Sequence, residues 1–312
     1  MGDPSDIRKR IEALNREALP PESADARGIR RKLQRAARER TEPPADAVVY
    51  RRDLPRSSGP LEHHRPTISR HVVLEEAVDG AEVDVPPHGK AFQIVDHLAE
   101  HDYDWEPLFH DFRAQMLGEG SSLRTRLRRF CDPTGWTPAD VVFMDLESTG
   151  LAGTPLFLIG TMGWEDGGLV VRQYLARDYS EERAVIRLFL DLLTGGRLLV
   201  TFNGKSFDLP YVRVRAAATG LRFAADVAHL DLLHECRRAW RHALPDCRLQ
   251  TLERRICGRP RMGDIPGEQI PAAYHEYVRT GNAAEIVDIL RHNVLDLVTL
   301  AELMVKLPPV GG

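Results

Sequence analysis

The 312-residue chain is 43% apolar and 28% charged, which is the balance of an ordinary globular protein. It has no apolar run of about 18 residues, which excludes a membrane-spanning helix, and its start lacks the apolar stretch of a secretory signal. Four cysteines, with no Cys-x-x-Cys pair among them, favour reduced thiols over disulfides or a zinc site. We therefore expect a cytoplasmic protein.

Residues 1–70 are predicted to be a disordered basic leader. They carry 16 Lys and Arg against 11 Asp and Glu, a net charge of +5, and few aromatic residues. One helix is expected near Ile29–Arg40, in a stretch that holds seven basic residues between Arg27 and Arg40. Clustered arginines neutralise phosphates, so this helix is either a nucleic-acid-binding arm or a solvated tail helix.

Residues 71–139 are expected to form an extension that packs on the domain after it. The segment HVVLEEAV (71–78) favours a strand, and AFQIVDHLAEHD (91–102) is mixed. DWEPLFHDFRAQML (104–117) has its apolar residues at helical spacing and predicts a helix. The sequence indicates no function for this region.

Residues 140–308 have the pattern of an α/β domain. Five apolar segments bounded by turn residues predict strands: 141–148, 156–164, 169–176, 197–204 and 227–233. Helices follow the third, fourth and fifth strands. The first is capped by Ser180 and ended by Gly195-Gly196, the second covers Tyr211–Ala218, and the last covers Ala283–Lys306. This order predicts a mixed five-stranded sheet flanked by helices.

Acidic residues occupy three positions where the pattern otherwise predicts burial. Asp145 and Glu147 alternate within VVFMDLES, so they point to one face of a strand. Asp208 follows the fourth strand, at the edge where open α/β sheets bind ligands. His292 and Asp296 share one face of the last helix. Buried carboxylates are costly unless they are paired or bind metal, although each segment alone also fits ordinary solvent-exposed acids.

Taken together, the three segments resemble the DEDD 3′–5′ exonuclease superfamily of the RNase H-like fold. FMDLEST is similar to its first motif, TFNGKSFDLPYV to its second, and HNVLD lies where the third is expected. GDIPGEQIPAAYHEY (263–277) resembles a YprB-like branch. The resemblance is close over residues 140–307 and looser from residue 71. It implies a metal-dependent nuclease that hydrolyses nucleic-acid phosphodiester bonds.

The resemblance also implies roles for individual residues. Two divalent cations, Mg²⁺ or Mn²⁺, would be held by four carboxylates: Asp145, Glu147, Asp208 and Asp296. His292 would orient or deprotonate the attacking water. The superfamily has Tyr-x3-Asp or His-x4-Asp in its third motif, whereas this chain has a histidine at the spacing of the tyrosine.

A single-stranded DNA or RNA end is the expected partner. Asn203 and Lys205 are candidates to contact its backbone, and Phe207 and Tyr211 to stack a terminal base. Lys205 also fits an exposed turn lysine, and the two aromatic rings also fit the core of the second helix.

Three other functions stay open at this point. The domain could be a non-catalytic or structure-specific nucleic-acid-binding module, or an endonuclease on the same scaffold. It could also be a phosphodiesterase for nucleotides or very short oligonucleotides. The net charge of −9 over residues 71–312 favours short substrates over long duplexes.

Overall fold

The computed structural model describes residues 71–309, except for residues 101–104, 130, 151–152, 195–197, 224–226 and 262. The predicted leader, its helix near Ile29–Arg40 and the expected helix end at Gly195-Gly196 lie outside the described residues. In the part of the chain that is described, no helix is long and apolar enough to cross a membrane.

A single mixed sheet of seven strands, ordered β1-β2-β5-β4-β3-β6-β7, runs through the described residues. Its strands are β1 (Gly80–Asp84), β2 (Lys90–His97), β3 (Val141–Ser148), β4 (Leu156–Glu165), β5 (Gly168–Leu175), β6 (Leu198–Thr201) and β7 (Ala228–Asp231). β3, β4 and β5 form an antiparallel meander. β6 pairs parallel with β3, and β7 with β6. The predicted α/β sheet is therefore confirmed.

The predicted count of five strands was wrong, because β1 and β2 extend the sheet beyond β5. β2 pairs antiparallel with β5, with Phe92 opposite Leu175. β1 lies at the edge and its residues are mostly exposed, so it lacks the apolar pattern that reveals an inner strand. The segment 71–78, expected to be a strand, contains the short helix α1 (Leu74–Ala77) instead.

The sheet separates two hydrophobic cores. One core contains Val142 and Met144 of β3, and also α4 (Glu182–Leu192) and α5 (Asp208–Ala218). The other contains Val141 and Phe143, with α2 (Glu106–Leu117) and the C-terminal half of α9 (Ala284–Lys306). The same alternation places Asp145 and Glu147 on the second face, which α9 covers. Further helical segments of the described residues are α3 (Ser122–Leu127), α6 (Leu232–Trp240), α7 (Leu249–Leu252), the π-helical segment Glu253–Cys257, α8 (Ile270–Thr280) and the 3₁₀ helices Leu98–Glu100 and Pro138–Asp140.

Two strands end earlier than predicted, for local reasons. β6 ends at Thr201 rather than 204, because Asn203 adopts a positive φ of 65° that a strand does not allow. β7 ends at Asp231, whose carboxylate accepts a hydrogen bond from the N–H of Leu233 at 3.1 Å and caps α6. The C-terminal ends of both strands lie on the same side of the sheet, next to the point where α5 begins at Asp208.

Candidate active site

The strand side of the site is built from β3 and α9. Asp145 is 7% exposed, and its Oδ2 accepts a hydrogen bond from Asn293 Nδ2 at 3.1 Å. Gln173 on β5 holds the same amide, because its Nε2 donates to Asn293 Oδ1 at 2.9 Å. Gly160 on β4 leaves the necessary space, since a Cβ there would lie 1.9 Å from Asn293 Oδ1. Three strands and one helix thus fix the orientation of Asp145, and Glu147 projects from the same face.

The Asn-Gly pair of the second motif makes a tight turn after β6. A Cβ at Gly204 would lie 2.2 Å from Thr201 Oγ1, so glycine is required there. Asp231 fastens the turn, because its carboxylate accepts hydrogen bonds from the N–H groups of Asn203 (2.8 Å) and Lys205 (3.0 Å). This turn sets the point at which α5 begins.

Asp208 is the first residue of α5 and is 1% exposed. β6 runs parallel to β3, so the turn that follows β6 lies at the same sheet edge as the end of β3. Asp208 and Glu147 therefore come from neighbouring strand ends, where open α/β sheets gather their ligands.

On the helix side, α9 places His292 and Asp296 one turn apart. His292 Nδ1 lies 2.9 Å and 2.8 Å from the two carboxylate oxygens of Asp264, and its Nε2 lies 3.6 Å from Asp296 Oδ2. Burial lowers the pKa of His292, but Asp296, Asp264 and Glu147 outweigh that effect and raise the pKa to about 9. Because Glu147 contributes, the first and third motifs lie close enough to interact electrostatically.

Arg261 binds the carboxylates of the helix side. Its guanidinium donates to Asp296, to Asp264 at 3.0 Å and to Glu253 at 2.6 Å. Burial lowers the pKa of Arg261, yet these three carboxylates outweigh it, so the pKa is raised and the side chain stays charged. Arg259 also binds Glu253, at 2.7 Å. Asp264, Arg261 and Glu253 therefore form a buried ionic network around His292 and Asp296.

The sequence analysis missed Asn293, Arg261 and Asp264. Asn293 stands beside His292 in the third motif, but it was not recognised as a partner of Asp145. Asp264 lies in the GDIPGEQIP stretch, which resembles a YprB-like branch, but the resemblance implies no role for Asp264. The 28 residues that separate it from His292 leave no spacing rule to connect the two.

Two candidate stacking residues are buried. Phe207 is 7% exposed and Tyr211 is 1% exposed. The Tyr211 hydroxyl lies 2.8 Å from Thr154 Oγ1 and donates to the Thr154 carbonyl at 2.8 Å. These positions agree with the alternative in which both rings belong to the core. Lys205 is exposed, as a turn lysine or a backbone contact would be.

A family model described as the RNase H superfamily matches residues 142–308. The chain belongs to the RNase H superfamily. The uncharacterised protein YprB of Bacillus subtilis (strain 168) is 32% identical over 181 residues, which are 55% of this chain and 43% of YprB. DNA polymerase 1 of Sulfurisphaera ohwakuensis is 25% identical over 166 residues, 52% of this chain and 18% of the polymerase. The predicted resemblance to RNase H-like proteins and to YprB is thus confirmed, and the chain spans less than half the length of either relative.

Two solved structures show weaker similarity. The family B DNA polymerase of Pyrobaculum calidifontis is 19% identical, with a TM-score of 0.44 over 52% of this chain and 24% of its own. E. coli exonuclease I in complex with a dT13 oligonucleotide is 15% identical, with a TM-score of 0.30 over 50% of this chain and 45% of its own. Both TM-scores are too low to show a common fold.

The acidic residues of this RNase H-like site are the kind of ligands that Mg²⁺ and Mn²⁺ prefer, because they supply carboxylate oxygens. Asp145, Glu147 and Asp208 come from one sheet edge, and Asp296 from the helix that covers it. The donor set fits divalent cations in its chemistry. In its geometry it is more open, since across the described ranges no three His, Cys, Asp or Glu side chains are grouped closely enough to hold one ion.

Proposed function

We propose that the protein is a metal-dependent nuclease of the DEDD type that removes nucleotides from the 3′ end of a nucleic acid. The observation that supports this proposal is the approach of the first and third motifs. Glu147 on β3 is close enough to His292 on α9 to raise its pKa, and Asp145 is hydrogen-bonded to the neighbouring Asn293. Carboxylates and an imidazole thus face each other in a member of the RNase H superfamily.

Asp145, Glu147, Asp208 and Asp296 would hold two divalent cations, either Mg²⁺ or Mn²⁺. Such ions, when bound, polarise the phosphodiester and stabilise the charge that develops on the attacking and leaving oxygens. The neutral amide of Asn293 orients the carboxylate of Asp145 and leaves its negative charge available to a cation. Asp296 differs, since its carboxylate is bound by Arg261.

His292 would take the proton of the attacking water at Nε2, the nitrogen that faces Asp296. In the metal-free site the neighbouring carboxylates keep a proton on the ring, so this role requires bound cations, whose positive charge would lower the pKa of His292. Asp264 binds the other ring nitrogen, so it fixes the orientation of the ring and stabilises the imidazolium that forms. Asp264 is therefore a positioning residue. The His292 side chain is only 9% exposed, so water screens little of the attraction between the imidazolium and the Asp264 carboxylate.

The substrate would be the end of a single-stranded DNA or RNA. Lys205, which is exposed in the turn after β6, and Asn203 beside it are the candidates to contact its backbone. Their turn is fastened by Asp231 and lies at the sheet edge that carries Asp208. A phosphate bound by Lys205 would thus lie near the proposed metal ligands.

A cleavage assay tests this function. It uses 5′-labelled DNA and RNA oligonucleotides with Mg²⁺, Mn²⁺ or EDTA, and compares the wild type with Asp145→Asn and Asp208→Asn. We expect a metal-dependent ladder that shortens from the 3′ end. Each variant should lose at least about 100-fold in rate, because several kcal/mol of transition-state stabilisation depend on the metal ligands.

Asp288→Asn is the matched control, because it makes the same change at an exposed position of α9. It should cleave like the wild type, whereas Asp296→Asn on the same helix should not. Cleavage that persists in EDTA, or full activity of Asp145→Asn, would contradict the proposal. Products that start in the middle of the strand would indicate an endonuclease instead.

A further inference from the structure

Positive charge is concentrated in one stretch of an otherwise acidic domain. Residues 232–261 contain eight arginines against three acidic residues, a net charge of +5. Residues 71–312 as a whole carry a net charge of −9, so the rest of that region carries −14. The stretch contains α6, α7 and the π-helical segment, and we call it the basic segment.

Five arginines of the basic segment are exposed and form what we call the basic face: Arg237, Arg238 and Arg241 on and after α6, and Arg254 and Arg255 on the π-helical segment. Arg238 pairs with Glu235. Among the residues that the structure describes, neither Arg254 nor Arg255 has an ion-pair partner. By contrast, the half-buried Arg187 pairs with Asp191, and the exposed Arg279 pairs with Glu276.

The basic face is fixed to the helix that carries His292. Glu253, which precedes Arg254, is 1% exposed and accepts a hydrogen bond from Thr299 Oγ1 of α9 at 3.2 Å. Glu253 also binds Arg261, whose guanidinium reaches Asp296. Arg261 thus connects the start of the π-helical segment with Asp296, which brings Arg254 and Arg255 to the border of the candidate site.

We propose that the basic face binds the phosphate backbone of the nucleic-acid strand whose end occupies the carboxylate site. The exposed guanidinium groups of Arg254 and Arg255, which have no carboxylate partner among the described residues, are suited to phosphate, which they bind through two parallel hydrogen bonds. The acidic remainder of the domain repels a polyanion, so the strand follows the basic segment. This inference rests on the proposed function, and it makes the substrate an extended strand rather than a nucleotide or dinucleotide.

Binding is measured without cleavage, by fluorescence anisotropy in EDTA over a series of salt concentrations. The probes are labelled single strands of about 20 and about three nucleotides, chosen to be longer and shorter than a typical single-strand site. Arg254→Gln/Arg255→Gln should bind the long strand about tenfold more weakly. Its slope of log affinity against log salt should fall by about 1.4, since each lost phosphate contact on a single strand contributes about 0.7. Binding of the short strand should stay unchanged.

Arg187→Gln/Arg279→Gln is the control, because it also removes two arginines, one half-buried and one exposed, from helices outside the basic segment. It should keep the affinity and salt slope of the wild type. An Arg254→Gln/Arg255→Gln variant that behaves like this control would overturn the proposal. The two proposals can fail separately. If the wild type does not cleave but Arg254→Gln/Arg255→Gln lowers the salt slope, only the nuclease proposal is rejected. If the wild type cleaves and this variant keeps the wild-type salt slope, only the proposal for the basic face is rejected.

Discussion

The strand side and the helix side of the candidate site hold their carboxylates in opposite ways. On the strand side, Asp145 accepts a hydrogen bond from the neutral amide of Asn293. On the helix side, Asp264 and Asp296 share the guanidinium of Arg261. An amide orients a carboxylate and leaves its charge, whereas a guanidinium compensates it. The comparison indicates that ion pairing stabilises the helix side, whereas the hydrogen-bonded amide of Asn293 orients Asp145 on the strand side.

The largest effect should follow from removing the cation of the helix side. Arg261→Met leaves the buried carboxylate of Glu253 and the largely buried carboxylates of Asp264 and Asp296 without their shared partner. We expect the free energy of unfolding to fall by about 3–5 kcal/mol, which is typical when one member of a buried ion pair is removed. Urea denaturation measures this change.

Arg279→Met is the control for that measurement, because Arg279 and its partner Glu276 have side chains that are 70% and 51% exposed. Exposed ion pairs contribute little to the free energy of unfolding, so this variant should be almost as stable as the wild type. If Arg261→Met were as mild as the control, the helix side would not depend on its ion pairs, and the contrast with the strand side would disappear.

A second prediction concerns the pH dependence of the helix side. The pKa of His292 is raised from its usual 6.5 to about 9, so its contribution to stability is fully present below pH 6.5 and is lost as the pH rises to 9. Between these values the folded state keeps a proton that the unfolded state has released. The free energy of unfolding should therefore fall by about 1.4 kcal/mol per pH unit, or about 3 kcal/mol in total.

Denaturation of the metal-free protein at several pH values between 6.5 and 8.5 measures this slope. His292→Gln is the control, because glutamine does not titrate, so the difference between the two proteins isolates the histidine. An equal slope in both would show that Asp264 and Asp296 do not hold a proton on His292. Asn293→Ala, which alters only the strand side, should keep the slope of the wild type.

The strand side and the helix side also differ in how much of their structure the sequence could predict. The inner strands β3 to β6 were predicted because their apolar runs reflect burial on both faces. β7, at the other edge of the sheet, was predicted from an apolar run that continues into α6. β1 was not, since an edge strand with exposed residues has no such pattern. Asp145 and Glu147 were found because a spacing of two on a strand is a local rule.

The helix side depends on contacts between distant parts of the chain. Arg261 and Asp296 are 35 residues apart, and no local spacing predicts that a loop arginine returns to a late helix. The charges of Arg261 and Asp264 are equally compatible with a solvated loop. Only the packing of that loop against α9 makes them part of the site, so the sequence alone could not select them.

The smallest expected effect tests the packing of the strand side. Gly160 and Gly163 both lie on β4, so an alanine changes the strand equally at either position. Their surroundings differ, because a Cβ at 160 would lie 1.9 Å from Asn293 Oδ1, whereas the nearest atom to a Cβ at 163 is the Val141 carbonyl oxygen at 3.8 Å. Gly160→Ala should therefore lower the free energy of unfolding by about 1–3 kcal/mol, and Gly163→Ala should have almost no effect.

Gly160→Ala should also reduce cleavage, because the new methyl group displaces the Asn293 amide and releases Asp145 from its fixed orientation. Asn293→Ala removes that hydrogen bond directly, so the two variants should lose activity to a similar extent. The double variant Gly160→Ala/Asn293→Ala shows whether Gly160→Ala acts through Asn293. An alanine at position 293 makes room for the methyl group at position 160, so the double variant should be no less active than Asn293→Ala alone. A double variant with the summed losses of both changes would mean that Gly160 acts on the site by a route other than Asn293.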